Sequence, residues 1–217
     1  MGLITHVIFN IQILMNDRPL PSESSDTAQA GDQRSRVGDI ALDLFLEHGY
    51  DATPMSLIAK RAGLTKAGIY HHFESKEELL YFAHKRHIEG LLLPMLEATA
   101  SEADAEKRIE MFIREYALLL TRYPFLRVLI NETKRLSAER EKEIRNAWRM
   151  GLHLVRDAIV ELQQTGRCLP DLNPTYAAFA AIGMCSWICN WFDPNRRESG
   201  DDVAQTMVQL FVRGILT

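Results

Sequence analysis

Apolar residues recur along this chain at spacings of three and four, the period of an α-helix, and the chain reads helical from about Arg34 to its end. Val37, Ile40, Ala41, Leu44, Phe45 and His48 fall on one face of a first helix, which Gly49 stops. Met55, Ile58, Ala59 and Ala62 repeat the pattern over two turns before Gly63. Thr65 then caps a short helix in which Ile69 and Phe73, four apart, face inward, so that Lys66, Ala67, Tyr70 and His71 point outward. Ser75-Lys76-Glu77-Glu78 is a capping box that opens a fourth helix through Leu79, Leu80 and Ala83 to the run 91–93, with Pro94 as its expected end.

The pattern continues in the second half. Ile109, Phe112, Ile113, Tyr116, Ala117 and Leu120 make one apolar face that ends at Tyr123-Pro124, and Phe125, Leu126, Val128 and Leu129 begin another. Ser137 opens a long helix through Ile144, Trp148, Gly151, Leu152, Val155, Ile159 and Leu162 to Gly166. Asn173-Pro174 starts the next helix, Asp193-Pro194 ends it, and a last helix spans about 199–214. The expected fold class is all-α: a three-helix N-terminal domain at 34–80 and a larger C-terminal helical domain at 81–217.

The remaining N-terminal stretch has another character. Residues 1–15 (MGLITHVIFNIQILM) carry no charged side chain but lack the basic start and small-residue cleavage site of a signal peptide. They also fall short of the roughly 20 apolar residues that span a bilayer. Residues 17–33 combine Pro, Ser, Asp and Gln with Leu20 as the one large apolar residue, too little burial to offset ordering. The whole of 1–33 is therefore expected to be a flexible extension, and no membrane partner is expected.

Composition narrows the function. With 47% hydrophobic residues over 217 positions the chain can bury a core, and a net charge of −4 supplies no global attraction to nucleic acid. Affinity for DNA would have to come from local clustering, as Lys60, Arg61, Lys66, Lys76, Arg34 and Arg36 offer around the short helices. The 3 cysteines, Cys168, Cys185 and Cys189, form no disulfide framework and fit a reducing, cytoplasmic setting. Cys185 and Cys189 are four apart, as a soft metal or redox pair would be, but small apolar packing is the commoner use. His84 and His87 can share a helix face as metal ligands, against polar surface or packing between domains as the plainer use. His71 and His72 are adjacent and point about 100° apart, which disfavours chelation of one metal. No paired acid–base or nucleophile set is found, so no catalytic residue, metal or cofactor is expected.

Two short helices joined by Ala62-Gly63-Leu64, the second exposing polar residues on its N-terminal half, make a helix-turn-helix. Residues 53–80 then resemble the DNA-binding domain of the tetracycline-repressor (TetR/AcrR) family of bacterial regulators. The resemblance rests on Thr53, Ile58-Ala59, Ala62-Gly63-Leu64, Thr65, Ile69-Tyr70, His72-Phe73 and Ser75-Lys76-Glu77 with Leu79, all at the family's spacing. It implies phosphate positioning by Thr53, Tyr70, His71 and Lys76, and places Ser56, Thr65, Lys66 and Ala67 near base edges. Gly68 departs from the Ser or Thr common there, so a phosphate contact is lost or the backbone approaches DNA more closely. The chemistry fits those roles: phenol, imidazole and ammonium donate to phosphate oxygens, Lys66 can reach guanine, and the Ala67 methyl can touch thymine.

The stretch 177–191 (AAFAAIGMCSWICNW) is apolar on nearly every side, more than one protomer's core requires. Val203, Met207, Leu210, Phe211 and Ile215 give the final helix a matching stripe. By resemblance, about 174–192 and 199–214 pair with a second copy in a four-helix bundle, setting two recognition helices one duplex turn apart over a palindromic operator. Phe112, Tyr116, Phe125, Trp148, Leu152, Met184 and Trp187 are candidates to line an effector cavity, with core packing the alternative for each. Relatives with a tail like Trp191-Phe192-Asp193-Pro194 include regulators that respond to acyl-CoA thioesters. The expected function is a homodimeric, ligand-responsive repressor; the alternative is a helical small-molecule-binding protein or enzyme that retains a helix-turn-helix.

Overall fold

The computed structural model describes residues 25–195 and 199–217, with side chains from Asp32. Its elements are α1 (Ser25–His48), α2 (Met55–Ala62), α3 (Lys66–His72), α4 (Lys76–His87), a π-turn (Ile88–Leu92), α5 (Leu93–Ala100), α6 (Ala105–Arg122), α7 (Leu126–Glu132), a 3-10 turn (Thr133–Arg135), α8 (Ala138–Gln164), α9 (Pro174–Ser186), α10 (Ile188–Trp191) and α11 (Gly200–Ile215). Among the described residues the extended pairing is a single bridge between Cys168 and Leu216, and no helix is long and apolar enough to cross a membrane.

The chain divides into two compact units. One runs to Ile88 and takes in Arg127–Ile144; the other is Glu89–Leu126 with Arg145–Thr217. In the first, α1 packs on α2 and α4, and α2 packs on α3. Its core is Val37, Ala41, Leu42, Leu44 and Phe45 from α1, Met55, Ile58, Ala59 and Ala62 from α2, Ile69, Phe73, and Leu79, Leu80 and Ala83 from α4. Each fully buried large side chain contributes about 1.5–3 kcal/mol.

Several boundaries differ from the sequence reading. Helix α1 starts at Ser25, ahead of Arg34, because Ala28, Gln29 and Ala30 favour helix by local propensity without needing burial; the rest of the 1–33 segment, 1–24, lies outside the described residues. His48 is exposed, and Leu42 completes the buried face of α1. Pro94 does not end a helix. It sits in the first turn of α5, where its missing N–H costs no intrahelical bond, and the π-turn absorbs the change of phase from α4.

In the second unit α6 is the central helix, touching α5, α9, α10 and α11. Ile109, Phe112, Ile113, Tyr116, Ala117, Leu118, Leu120 and Thr121 are all buried, which leaves little of its circumference for water. Helix α8 comes close to it at Gly151, where a Cβ would stand 3.0 Å from the Phe112 ring. Asp104 caps α6 by accepting from the amides of Glu106 and Lys107.

His84 contradicts the surface reading: it is fully buried, and neither ring nitrogen has a hydrogen-bond partner among the described residues. Burial first, then the neighbouring His87, pushes it down to about 3. His87 is itself pushed down to about 4, by burial and Arg86 against the opposing pull of Asp39. An unfolded histidine binds its proton near 6.5, so between there and about 3–4 the unfolded chain holds more protons than the folded one. Stability is therefore complete above about pH 6.5 and falls as pH drops, by up to about 1.4 kcal/mol per pH unit for one such group. Urea unfolding at pH 6.5 and 4.5 should show His84→Leu losing about 1–2 kcal/mol less than wild type; equal losses would contradict the assignment.

Candidate nucleic-acid interface

The turn into α3 is built by two caps two residues apart, Gly63 and Thr65. Gly63 closes α2 in the left-handed conformation, φ 71°, with its N–H on the Lys60 carbonyl and the Leu64 N–H on that of Ala59 at 2.8 Å. Thr65 opens α3 at once, its hydroxyl accepting from the Gly68 amide at 3.0 Å. Seven residues are too few for an autonomous helix, and α3 is held by Ile69, which is fully buried, and by Phe73 just beyond its end.

That anchoring decides what faces water. Thr65, Lys66, Ala67, Tyr70 and His71 are exposed, as are Ser56 and Lys60 on α2. Gly68 is half-buried, and a Cβ there would sit 3.3 Å from the Thr65 hydroxyl that caps the same turn. Its lack of a side chain leaves the first turn of α3 open to close approach. The rings of His71 and His72 stand 5.6 Å apart at 59°, with His71 exposed and His72 half-buried.

Two expected residues are placed otherwise. Thr53 is fully buried, its hydroxyl donating toward the carbonyls of Gly49 (2.8 Å) and Leu44 (3.2 Å). It ties α2 to the end of α1 and offers no exposed donor. The Lys76 ammonium donates to the carbonyls of Tyr50 (2.7 Å), Thr53 (3.1 Å) and Asp51 (3.4 Å) and lies 4.4 Å from the Tyr50 ring centre. It, too, is turned to the protein. The basic cluster thins in the same way: Arg34 pairs with Glu78 over the rings of Phe73 and Phe82, Arg36 donates to the Ala62 carbonyl, and Arg61 pairs with Glu47. Lys60 and Lys66 remain exposed.

The effector candidates lie in the second unit. Phe112 and Tyr116 are buried with ring centres 5.7 Å apart, Trp148 follows 6.1 Å from Tyr116, and the Tyr116 hydroxyl meets Ser186 at 2.9 Å. Burial raises the Tyr116 phenol above its ordinary value, so it stays neutral and able to donate. Ser186, its polar partner, carries no signal in the apolar pattern of the sequence. The Phe125 ring lies 5.5 Å from that of Tyr123, tilted by 45°, and Leu152 and Met184 are half-buried. Trp187 does not join them. It is 65% exposed, on a stripe with Tyr176 (72%), Phe179 (57%) and Trp191, beside exposed Ala180 and Gly183. On α11, Leu210 is 63% exposed, whereas Phe211 and Ile215, expected on the same stripe, are buried in their own protomer.

Known proteins resemble this arrangement. A family profile described as "Bacterial regulatory proteins, tetR family" matches residues 39–81, and one described as "Tetracyclin repressor-like, C-terminal domain" matches 102–215. The transcriptional repressor KstR2 of Rhodococcus jostii is 27% identical over 205 residues, covering 90% of this chain and 97% of its own. A TetR/AcrR-family regulator of Thermobifida fusca is 31% identical with a TM-score of 0.67, covering 84% of this chain and 98% of its own. AibR, solved with isovaleryl coenzyme A and operator DNA, is 27% identical with a TM-score of 0.76, over 82% of this chain and 97% of its own.

Replacing Thr53 by Val would delete only the buried hydroxyl and leave two carbonyls without their donor. It should lower unfolding free energy by about 1–2 kcal/mol in urea titration; an unchanged midpoint would show that the hydroxyl holds nothing.

Proposed function

The chain belongs to the tetracycline-repressor family of bacterial regulatory proteins, and from that premise we propose that it is a one-component transcriptional repressor, not an enzyme, acting in the cytoplasm. It binds a palindromic operator as a homodimer and releases it when a small apolar or acyl-CoA-like effector occupies the second unit. The observation that carries the reading is the division of α3. Ile69 is fully buried on one side, and Thr65, Lys66, Ala67, Tyr70 and His71 stand exposed on the other. A helix of about two turns with a cation, hydroxyls and an imidazole outward fits a major groove, and its amide end favours phosphate. Lys66 and Ala67, with Ser56 and Thr65, are assigned to base edges, and Tyr70, His71 and the Gly68 backbone to phosphates.

The exposed stripe of α9 and α10 supports the dimer. Tyr176, Phe179, Trp187 and Trp191, with Leu210 on α11, make an apolar surface too large to leave in water, and Ala180 and Gly183 within it allow close helix approach. The effector site is assigned to Phe112, Tyr116, Trp148 and Ser186, an apolar set with one polar point, flanked by Phe125, Leu152 and Met184. The acyl-CoA class is supported by AibR, whose solved complex holds isovaleryl coenzyme A.

Selection from a random duplex pool at near-physiological salt should enrich a palindrome, and no enrichment would count against the reading. With that duplex, Lys66→Ala should relax preference at one base pair per half-site, costing about 1–3 kcal/mol, whereas Tyr70→Phe should weaken all sequences alike. Competition among single-base variants of the duplex checks both; intact preference in Lys66→Ala would remove α3 from the groove. Phe179→Glu puts a charge in the apolar stripe and should convert a dimer to a monomer in sedimentation, with the helical content kept. A dimer unaffected by that charge would place the interface elsewhere.

A further inference from the structure

The loop 50–53, between Gly49 at the end of α1 and Pro54 at the start of α2, is gripped from two sides. From α4, the Lys76 ammonium reaches three of its carbonyls, those of Tyr50, Asp51 and Thr53, at 2.7, 3.4 and 3.1 Å. An ammonium has three hydrogens and accepts nothing, so three carbonyls use every donor it has. The site suits a cation: it lies beyond the C-terminal end of α1, where carbonyls carry partial negative charge, and the Tyr50 ring lies 4.4 Å from the nitrogen. From the 3-10 turn, Arg135 pairs with the Asp51 carboxylate at 2.5 Å, its guanidinium 5.9 Å from the same ring. The Thr53 hydroxyl, held on Gly49 and Leu44, completes the loop's attachment.

We infer that Lys76 and Arg135 are positioning residues for DNA reading: they hold loop 50–53, and through it α2 and the paired α3, in the orientation that meets the groove, and Lys76 does so without contacting phosphate. This rests on the DNA reading proposed above. The loop leads directly into α2, whose first turn bonds back to the Pro54 carbonyl from Leu57 and Ile58. Exposed Ser56 and Lys60 follow on that helix, so a shift of the loop moves their reach toward DNA.

The test is salt-dependent binding of the duplex that wild-type protein enriches, by wild type, Lys76→Met and Asp51→Asn, each well below its melting midpoint. A lost phosphate contact lowers the slope of log affinity against log salt by about 0.9. Lys76→Met should bind about tenfold more weakly at every salt concentration with the wild-type slope. Asp51→Asn removes a negative charge, which through the field alone would tighten binding; loosening the loop should weaken it instead, about threefold. A slope lower by about one in Lys76→Met, or Asp51→Asn binding as tightly as wild type or tighter, overturns the inference. Should Lys76→Met fail to fold, the sign of the Asp51→Asn effect decides alone. Wild type that holds no duplex ends the DNA reading as well, whereas a changed slope ends only the account of the loop.

Discussion

A helix of seven residues has no stability of its own in water, and α3 exists because Ile69 and Phe73 are driven into the core formed by α1, α2 and α4. Two fully buried side chains supply about 3–6 kcal/mol, enough to hold a segment whose intrinsic tendency is to fray. That anchoring also fixes the helix about its axis. With position 69 inward, positions 66, 67, 70 and 71 have nowhere to point but solvent. The chemistry offered to a partner is thus a consequence of packing: hydroxyl, ammonium, methyl, phenol and imidazole on one side, apolar core on the other. The left-handed Gly63 and the Thr65 cap set the angle at which this side is presented, because only a short turn separates the two helices.

The charges follow a similar economy. Around the short helices the cations divide between the surface and the protein's own framework. Arg34, Arg36 and Lys76 bind carboxylates, carbonyls and aromatic faces within the first unit, where they order the framework, and Lys60 and Lys66 remain at the surface. Hydrogen bonds to a charged donor are worth more than neutral ones, so a lysine already bonded to three carbonyls gives up much to reach a phosphate.

Most of the framework was legible in the sequence because it is written in local signals. Spacings of three and four mark the helices, and Ser75, Asn173-Pro174 and Gly63 stand at the starts and the turn they signal, whereas the single helix expected from Asn173-Pro174 to Asp193-Pro194 is broken at Trp187 into α9 and α10. What escaped depends on neighbours remote in the chain. Nothing near Lys76 says that its donors are claimed by carbonyls more than twenty residues earlier, and the apolar pattern is silent on the Thr53 hydroxyl, which turns back to carbonyls four and nine residues before it. Nothing near His84 says that both ring nitrogens are enclosed with no hydrogen-bond partner among the described residues. Trp187 and Phe211 have the same apolar character, yet one is exposed and the other buried, because the surrounding helices and not the residue type decide which side of α10 or α11 is covered. The start of α1 was missed for the opposite reason: propensity at 28–30 outweighed the absence of apolar residues to bury.

Exposed α3 is proposed to read a duplex groove in two copies related by a twofold axis. Hydroxyl-radical footprinting on the enriched duplex tests it most directly, since it reports which sugars each copy covers. Two equivalent protected tracts are expected with centres one helical turn apart, roughly 34–36 Å, each thinned by Tyr70→Phe without moving. A single tract, or protection spread evenly along the duplex, would contradict it.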